Sequence, residues 1–342
     1  MDKISTCSNV KNHNKDVENK IKDNPEKIQQ NNTLISSKTD VMDNKSYYLS
    51  REKAYMLEKY GKEMLEWNRE NMSYFPPTSV ILGKHSLTPE ARKLMVDWML
   101  EVFTVYECEP RTFELAVNIM DCYIYKTERK LEDDHIYLIG LASIYIASKM
   151  EEKVPMRLYH VVNYIGKNEF TNKEIIEMEK EILMTIDFNF LSADTYDYLM
   201  TFFWDLKVKH EAKLIKYKLL DTVDRYMNLC VFLSELTLYD YDIITFDANY
   251  IAIAILTLGY DFLKHNGIIV KKKIKRYFRD WIYYLIYVLK LRAKEVSKVY
   301  NKLYKVFKFD VLKKQMKYDK KNGKDINDTS YLCKLFSKLN YW

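Results

Sequence analysis

The sequence predicts an all-α protein built as two consecutive five-helix repeats behind an N-terminal flanking helix, and three observations carry that reading. Only 7 glycines and 6 prolines punctuate 342 residues, far fewer than the turns of a β-rich chain of this length need. Long stretches repeat apolar residues at helical spacing. Two segments, "DHIYLIGLASIYIA" from Asp134 and "DANYIAIAILTLGY" from Asp247, echo each other, with Tyr three residues after Asp and small residues among aliphatics. Gly140, Ala142 and Ala147 in one, and Ala252 and Ala254 in the other, let neighbouring helices approach closely. Each segment therefore reads as the centre of a five-helix unit.

The elements follow in order. Residues 1–46 are Asn, Lys, Asp and Ser with scattered aliphatics; too little apolar surface is present to offset ordering entropy, so a disordered tail is expected. A flanking helix is expected over Arg51–Arg69, with Tyr60, Met64 and Trp67 on one face. The two prolines of "YFPPTSVILGKHS" make a connector, closing a segment over 47–87. Thr88 as N-cap and Pro89 at the first helical position open a helix to about Tyr106. Further helices are expected at Arg111–Thr127, Asp133–Met150, near Arg157–Tyr164, and at Thr171–Ile186. The last opens on a capping box, Thr171 to Glu174. The first repeat thus spans 88–190. A second, over 191–310, reads as helices near Asp194–Asp205, Ala212–Leu233, Asp247–His265, Lys271–Leu291 and Lys294–Tyr304. An extension covers 311–342.

Composition narrows the function. Net charge is +6, mostly from lysine, yet no stretch pairs basic residues with a regular stacking platform, so no nucleic-acid partner is expected. The five cysteines form no C-x-x-C pair, which excludes a disulfide framework and suits a reducing compartment. No secretory signal and no apolar run of membrane-spanning length is apparent, so no membrane association is expected. Six scattered histidines, no phosphate-cradling glycine loop and no G-x-S-x-G leave no metal, cofactor or catalytic constellation. The cluster "KKKIKR" at Lys271–Arg276 reads as the solvated start of a helix in preference to a nuclear-localisation signal.

Three positions stand out from the apolar pattern. Arg92 lies in a helix that is apolar almost all round, where a charge either pairs with an acid on a neighbouring helix, the favoured reading, or docks a ligand directly. On the helix from Thr171, Ile175, Met178, Ile182 and Ile186 form the core stripe. Ile176, Glu179 and Leu183 form a second stripe that the core does not need. Glu179 is then either a surface acid paired with nearby lysines or an anchor. Lys149 closes an apolar helix, where a cation complements the helix dipole without any ligand. Glu151 and Glu152 beside it read as a solvated helix end.

Several ordered motifs resemble the cyclin box. "ARKLMVDWMLEV" (Ala91–Val102) is similar to its first helix and "FELAVNIMDCYI" (Phe113–Ile124) to its second. "GLASIYIASKMEEKVP" (Gly140–Pro155) resembles the third, and "FTNKEIIEMEKEILMTIDFNF" (Phe170–Phe190) the fifth. "NLCVFLSELTLYDYDI" (Asn228–Ile243) resembles a segment of the second cyclin fold. The resemblance is closest to the A- and B-type, cell-cycle group.

It implies two cyclin folds and a non-catalytic regulatory subunit that binds and activates a cyclin-dependent protein kinase as a heterodimer, in nucleus or cytoplasm. The alternatives are a transcriptional-type cyclin, or a cyclin-fold adaptor of the transcription machinery. By the resemblance, Lys149 and Glu179 grip kinase backbone, with Met150, Ile176, Leu183, Phe188, Phe190, Tyr60, Met64 and Trp67 around them. A substrate- or inhibitor-docking patch on the first helix maps to Ala91, Met95, Trp98, Glu101 and Tyr137. Ala91 replaces the family's methionine there, Met95 a leucine and Tyr137 a glutamine. Arg92 maps to a structural ion pair with Asp121. Residues 1–50 contain no arginine, so the family's arginine-x-x-leucine destruction motif is missing from that stretch.

Overall fold

The computed structural model describes residues 83–189, 193–265 and 267–307, with six positions ahead of them: Lys59, Tyr60, Glu63, Glu66, Trp67 and Glu70, all helical. The chain divides into two units at 1–59 and 60–342, and everything below belongs to the second. The tail over 1–46, the extension over 311–342, Met64 and Phe190 lie outside the described residues.

The described residues form helices, with one isolated parallel bridge, Ser86 to Glu132. The first group comprises α1 (Pro89–Val105), α2 (Pro110–Lys126), α3 (Ile136–Glu151) behind a 3-10 turn at Asp133–His135, α4 (Leu158–His160) continued by a π-turn at Val161–Ile165, and α5 (Asn172–Thr185). The second comprises α6 (Thr195–Lys216), α7 (Leu220–Thr237), the short α8 (Tyr241–Ile244), α9 (Ala248–His265), α10 (Lys272–Val288) and α11 (Ala293–Val306).

Each group has its own core, centred on α3 and α9 respectively. Both central helices are buried nearly all round, as their small residues allow: Ala142, Ala147, Ala252 and Ala254 are fully enclosed. Gly140 faces the Met95 side chain of α1, and Gly259 faces Tyr226 and Cys230 of α7. A β-carbon at either position would overlap these neighbours, so the glycines set how closely the helices approach.

Helix ends explain where the sequence reading drifted. All seven non-glycine residues with positive φ among the described residues (Glu107, Lys167, Asn168, Asp187, Phe188, Lys218 and Lys290) lie in turns that close helices or their π-continuation. Each costs about 1–2 kcal/mol relative to a glycine, and none is visible to a search for Gly and Pro. The expected helix Ala212–Leu233 is corrected accordingly. Helix α6 runs on to Lys216 with a kink at His210 (φ −121°, ψ 15°). The true break is at Lys218, φ 53°, where the Leu219 N–H returns to the Leu214 carbonyl at 2.8 Å.

A buried polar network joins the two groups. Arg92 donates to both oxygens of Asp121, Nε to Oδ1 at 2.8 Å and Nη2 to Oδ2 at 2.6 Å. Its Nη1 donates to the Leu238 carbonyl at the end of α7, at 2.7 Å. The Tyr241 hydroxyl donates to Asp121 at 3.2 Å, and the guanidinium lies 4.1 Å from the centre of the Tyr241 ring. Burial opposes the Arg92 charge, and Asp121 beside it more than restores it, leaving the guanidinium above its usual pKa. Arg92→Ala leaves Asp121 charged and buried, so chemical denaturation of that variant is expected to show a loss of about 3–5 kcal/mol. A loss under about 1 kcal/mol would show the pair to be incidental.

Candidate functional site

The site is built on the last turn of α3. This helix is almost wholly apolar until Ser148, Ser143 bonding back to the Ile139 carbonyl, and its final polar residues reach the following loop, α5 and α2. Ser148 Oγ accepts from the Met156 N–H at 2.8 Å, folding the following loop back. The Lys149 ammonium pairs with Glu179 of α5 and lies 4.0 Å from the centre of the Tyr145 ring, one turn earlier. Glu151 approaches Arg111 at 3.5 Å.

Glu152 accepts from the Glu109 N–H at 2.9 Å and the Thr112 hydroxyl at 2.5 Å. Glu109 is the N-cap of α2 and makes no side-chain cap of its own, so Glu152 supplies the missing acceptor at that positive helix end. The reading of Glu151 and Glu152 as a solvated helix end is therefore corrected: both tie α3 to the start of α2.

Helix α5 supplies the second half. Thr171 and Glu174 close the capping box. Ile175, Met178, Ile182 and Ile186 are buried, which leaves Ile176, Glu179 and Leu183 toward the rim. Lys149 is 33% exposed and Glu179 17%, so the ion pair sits at the surface and is not sealed in. Around it, Met150 is 54% exposed, Ile176 49% and Phe188 59%. Leu183 packs against the first core. Phe188 follows α5 in a left-handed conformation (φ 53°), its N–H bonded to the Leu183 carbonyl at 3.0 Å. The result is an apolar rim around one ion pair, a surface that water solvates poorly. Tyr60 and Trp67 stand half-exposed in the flanking helical stretch.

Two neighbours escaped the sequence reading. Tyr145, whose hydroxyl pKa is raised by burial and by Glu179, was legible as the residue four before Lys149. Met184 is exposed beside the second stripe but falls in neither apolar register.

The first-helix patch is only partly a surface. Ala91 and Trp98 are half-buried and Glu101 is exposed. Trp98 meets Tyr137 edge-on with ring centres 4.9 Å apart, and Tyr137 tilts against Phe170 at 5.6 Å. Met95 is corrected: it is buried over Gly140, inside the first core. Leu94, one residue earlier, takes the exposed apolar position.

A buried acidic cluster lies where α2 meets α6. Arg111 Nη1 contacts Asp194 at 2.5 Å and Asp197 at 2.7 Å. Glu114 Oε2 accepts from the Tyr196 N–H at 3.1 Å. Burial pushes Glu114 up to about 7, against hydrogen bonds from Ser234 and Tyr196 and the charge of Arg111. A carboxyl whose folded pKa is raised binds its proton more tightly in the folded chain, so folding stability falls as pH climbs from about 4.3 through about 7. Glu114→Gln keeps an acceptor for Tyr196 and removes that charge. Its melting temperature is expected to exceed the wild type's at pH 8, with the gain shrinking by pH 5. A gain independent of pH would contradict the assignment.

Residues 63–191 match the family described as the cyclin N-terminal domain. Cyclin-A3-3 of Arabidopsis thaliana is 28% identical over 177 residues, 52% of this chain and 50% of that one. The G2/mitotic-specific cyclin-B of Emericella nidulans is 33% identical over 147 residues, 42% of this chain and 30% of that one. The chain thus spans about half the length of these curated relatives, or less. The solved structure of a viral cyclin from herpesvirus saimiri superposes with a TM-score of 0.49 at 18% identity, over 72% of this chain and 97% of that one.

Proposed function

We propose that this chain, a cyclin-box protein close to the A- and B-type cyclins, is the regulatory subunit of a cyclin-dependent protein kinase in the cell cycle and performs no catalysis itself. The observation that carries the reading is the surface ion pair of Lys149 and Glu179 within an apolar rim. A protein kinase is active only when a glutamate of its αC helix pairs with a lysine of its β3 strand. A rigid surface that binds the inward position of that helix better than the outward one shifts the kinase toward activity.

The rim suits such a helix. Ile176, Met150 and Phe188 offer an apolar seat, as in other helix-in-groove contacts. Lys149 and Glu179 offer one donor and one acceptor for backbone groups at the helix end. In the chain alone the two neutralise each other; on binding, each exchanges that partner for kinase backbone groups, whose hydrogen bonds must offset the loss of the pair. The last turn of α3 is held by Ser148, Glu151 and Glu152, which keeps the seat pre-organised.

The test is a double variant, Lys149→Ala with Glu179→Ala, mixed with cyclin-dependent kinases purified in the inactive state. Affinity is expected to fall by about tenfold or more, with stimulated phosphoryl transfer falling in step, while the helical circular-dichroism signal stays unchanged. Full stimulation by the double variant would contradict the proposal.

A further inference from the structure

The outer face of α10 carries a pattern that the kinase reading does not use. The inner face is apolar and packs Phe278, Trp281, Ile282 and Leu285 into the second core. On the outside, Lys272, Arg276, Arg279, Tyr283, Tyr287 and Lys290 recur every three or four residues, and all six are exposed. The first five form one stripe along the helix, and Lys290 follows in the turn just past its end. Tyr287 is 81% exposed.

This is not the composition of an ordinary solvated helix face. Such faces intersperse both signs of charge and pair them one turn apart. Between Lys271 and Asp280 there are six cations and one acid. That acid, Asp280, accepts from Arg279 at 3.2 Å. The first turn holds no acid, although a helix N-terminus is the positive end of its dipole and disfavours cations. The stripe keeps its charge against this local preference. Tyrosine and arginine together, with acids depleted, are the residues that carry binding energy at protein interfaces.

We infer that the outer face of α10 is a docking surface for an acidic amphipathic helix of a partner protein. Charge complementarity selects the occupant: carboxylates of the partner face Arg276 and Lys290 on either side of the two rings, and its apolar residues seat on Tyr283 and Tyr287 between them. The stripe is convex and its two rings stand a single turn apart, which fits a second helix better than the concave, ring-lined groove that tracks single-stranded nucleic acid.

The experiment uses the full chain and fluorescence anisotropy. Three labelled probes are compared: a helical peptide of about 18 residues with Glu and Leu on one face, the same peptide with every Glu changed to Gln, and an oligothymidylate. The Glu peptide is expected to bind and the Gln peptide to bind at least about fivefold more weakly. Arg276→Glu with Lys290→Glu, and separately Tyr283→Ser with Tyr287→Ser, are each expected to weaken the Glu peptide by about fivefold or more. Equal binding of the two peptides, no binding of either, stronger binding of the oligothymidylate, or indifference to both double variants would each overturn the proposal. All four substitutions are at exposed positions, and unchanged thermal melting identifies variants that fold.

Discussion

The last turn of α3 is the point on which the candidate site depends. An apolar helix that passes through the middle of a bundle must end somewhere, and its last carbonyls and charges must find partners. Here the partners lie on three elements: Ser148 on the loop to Met156, Lys149 on α5, and Glu151 and Glu152 on the start of α2. Buried packing alone would leave the helix end able to fray. Four polar contacts in five residues set its position, and with it the position of Lys149 relative to Glu179.

The same turn connects the site to the junction between the two cores. Arg111, which Glu151 approaches, is shared with Asp194 and Asp197 at the start of α6. The Arg92–Asp121–Tyr241 network joins α1 and α2 to the segment after α7. The Arg111 cluster is partly and the Arg92 pair almost fully removed from water, and such groups contribute geometry more than net stability. Their value here is that a wrong docking of one core on the other would leave Arg92, Asp121 or Glu114 buried without a partner. The sequence thereby penalises alternatives that hydrophobic packing alone would tolerate.

Much of this was legible in the residues. Helical spacing and the small residues at Gly140, Ala142, Ala252 and Ala254 pointed to two central helices, because close approach demands them. The two stripes on α5 separated Ile175 and Ile182 from Ile176 and Glu179, because a helix with more apolar surface than its core needs must present the rest outward. What remained hidden has physical causes. Lys218 and Phe188 turn the chain in conformations usually given to glycine, and a lysine or phenylalanine carries no local sign of that. Glu152 caps a helix that begins 42 residues before it in the chain, which no local pattern contains. Met95 and Leu94 are adjacent apolar residues, and only the approach of α3 decides which of them is buried.

The rim formed by α3 and α5 is the surface proposed here to be covered by a kinase. Hydroxyl-radical footprinting of the full chain, alone and with a cyclin-dependent kinase, tests that most directly, since exposed methionine and aromatic side chains report their own burial. Met150, Met184 and Phe188 are expected to lose reactivity in the complex while Tyr283 and Tyr287 keep theirs. Unchanged reactivity at Met150 and Phe188 in a complex that demonstrably forms would contradict the account.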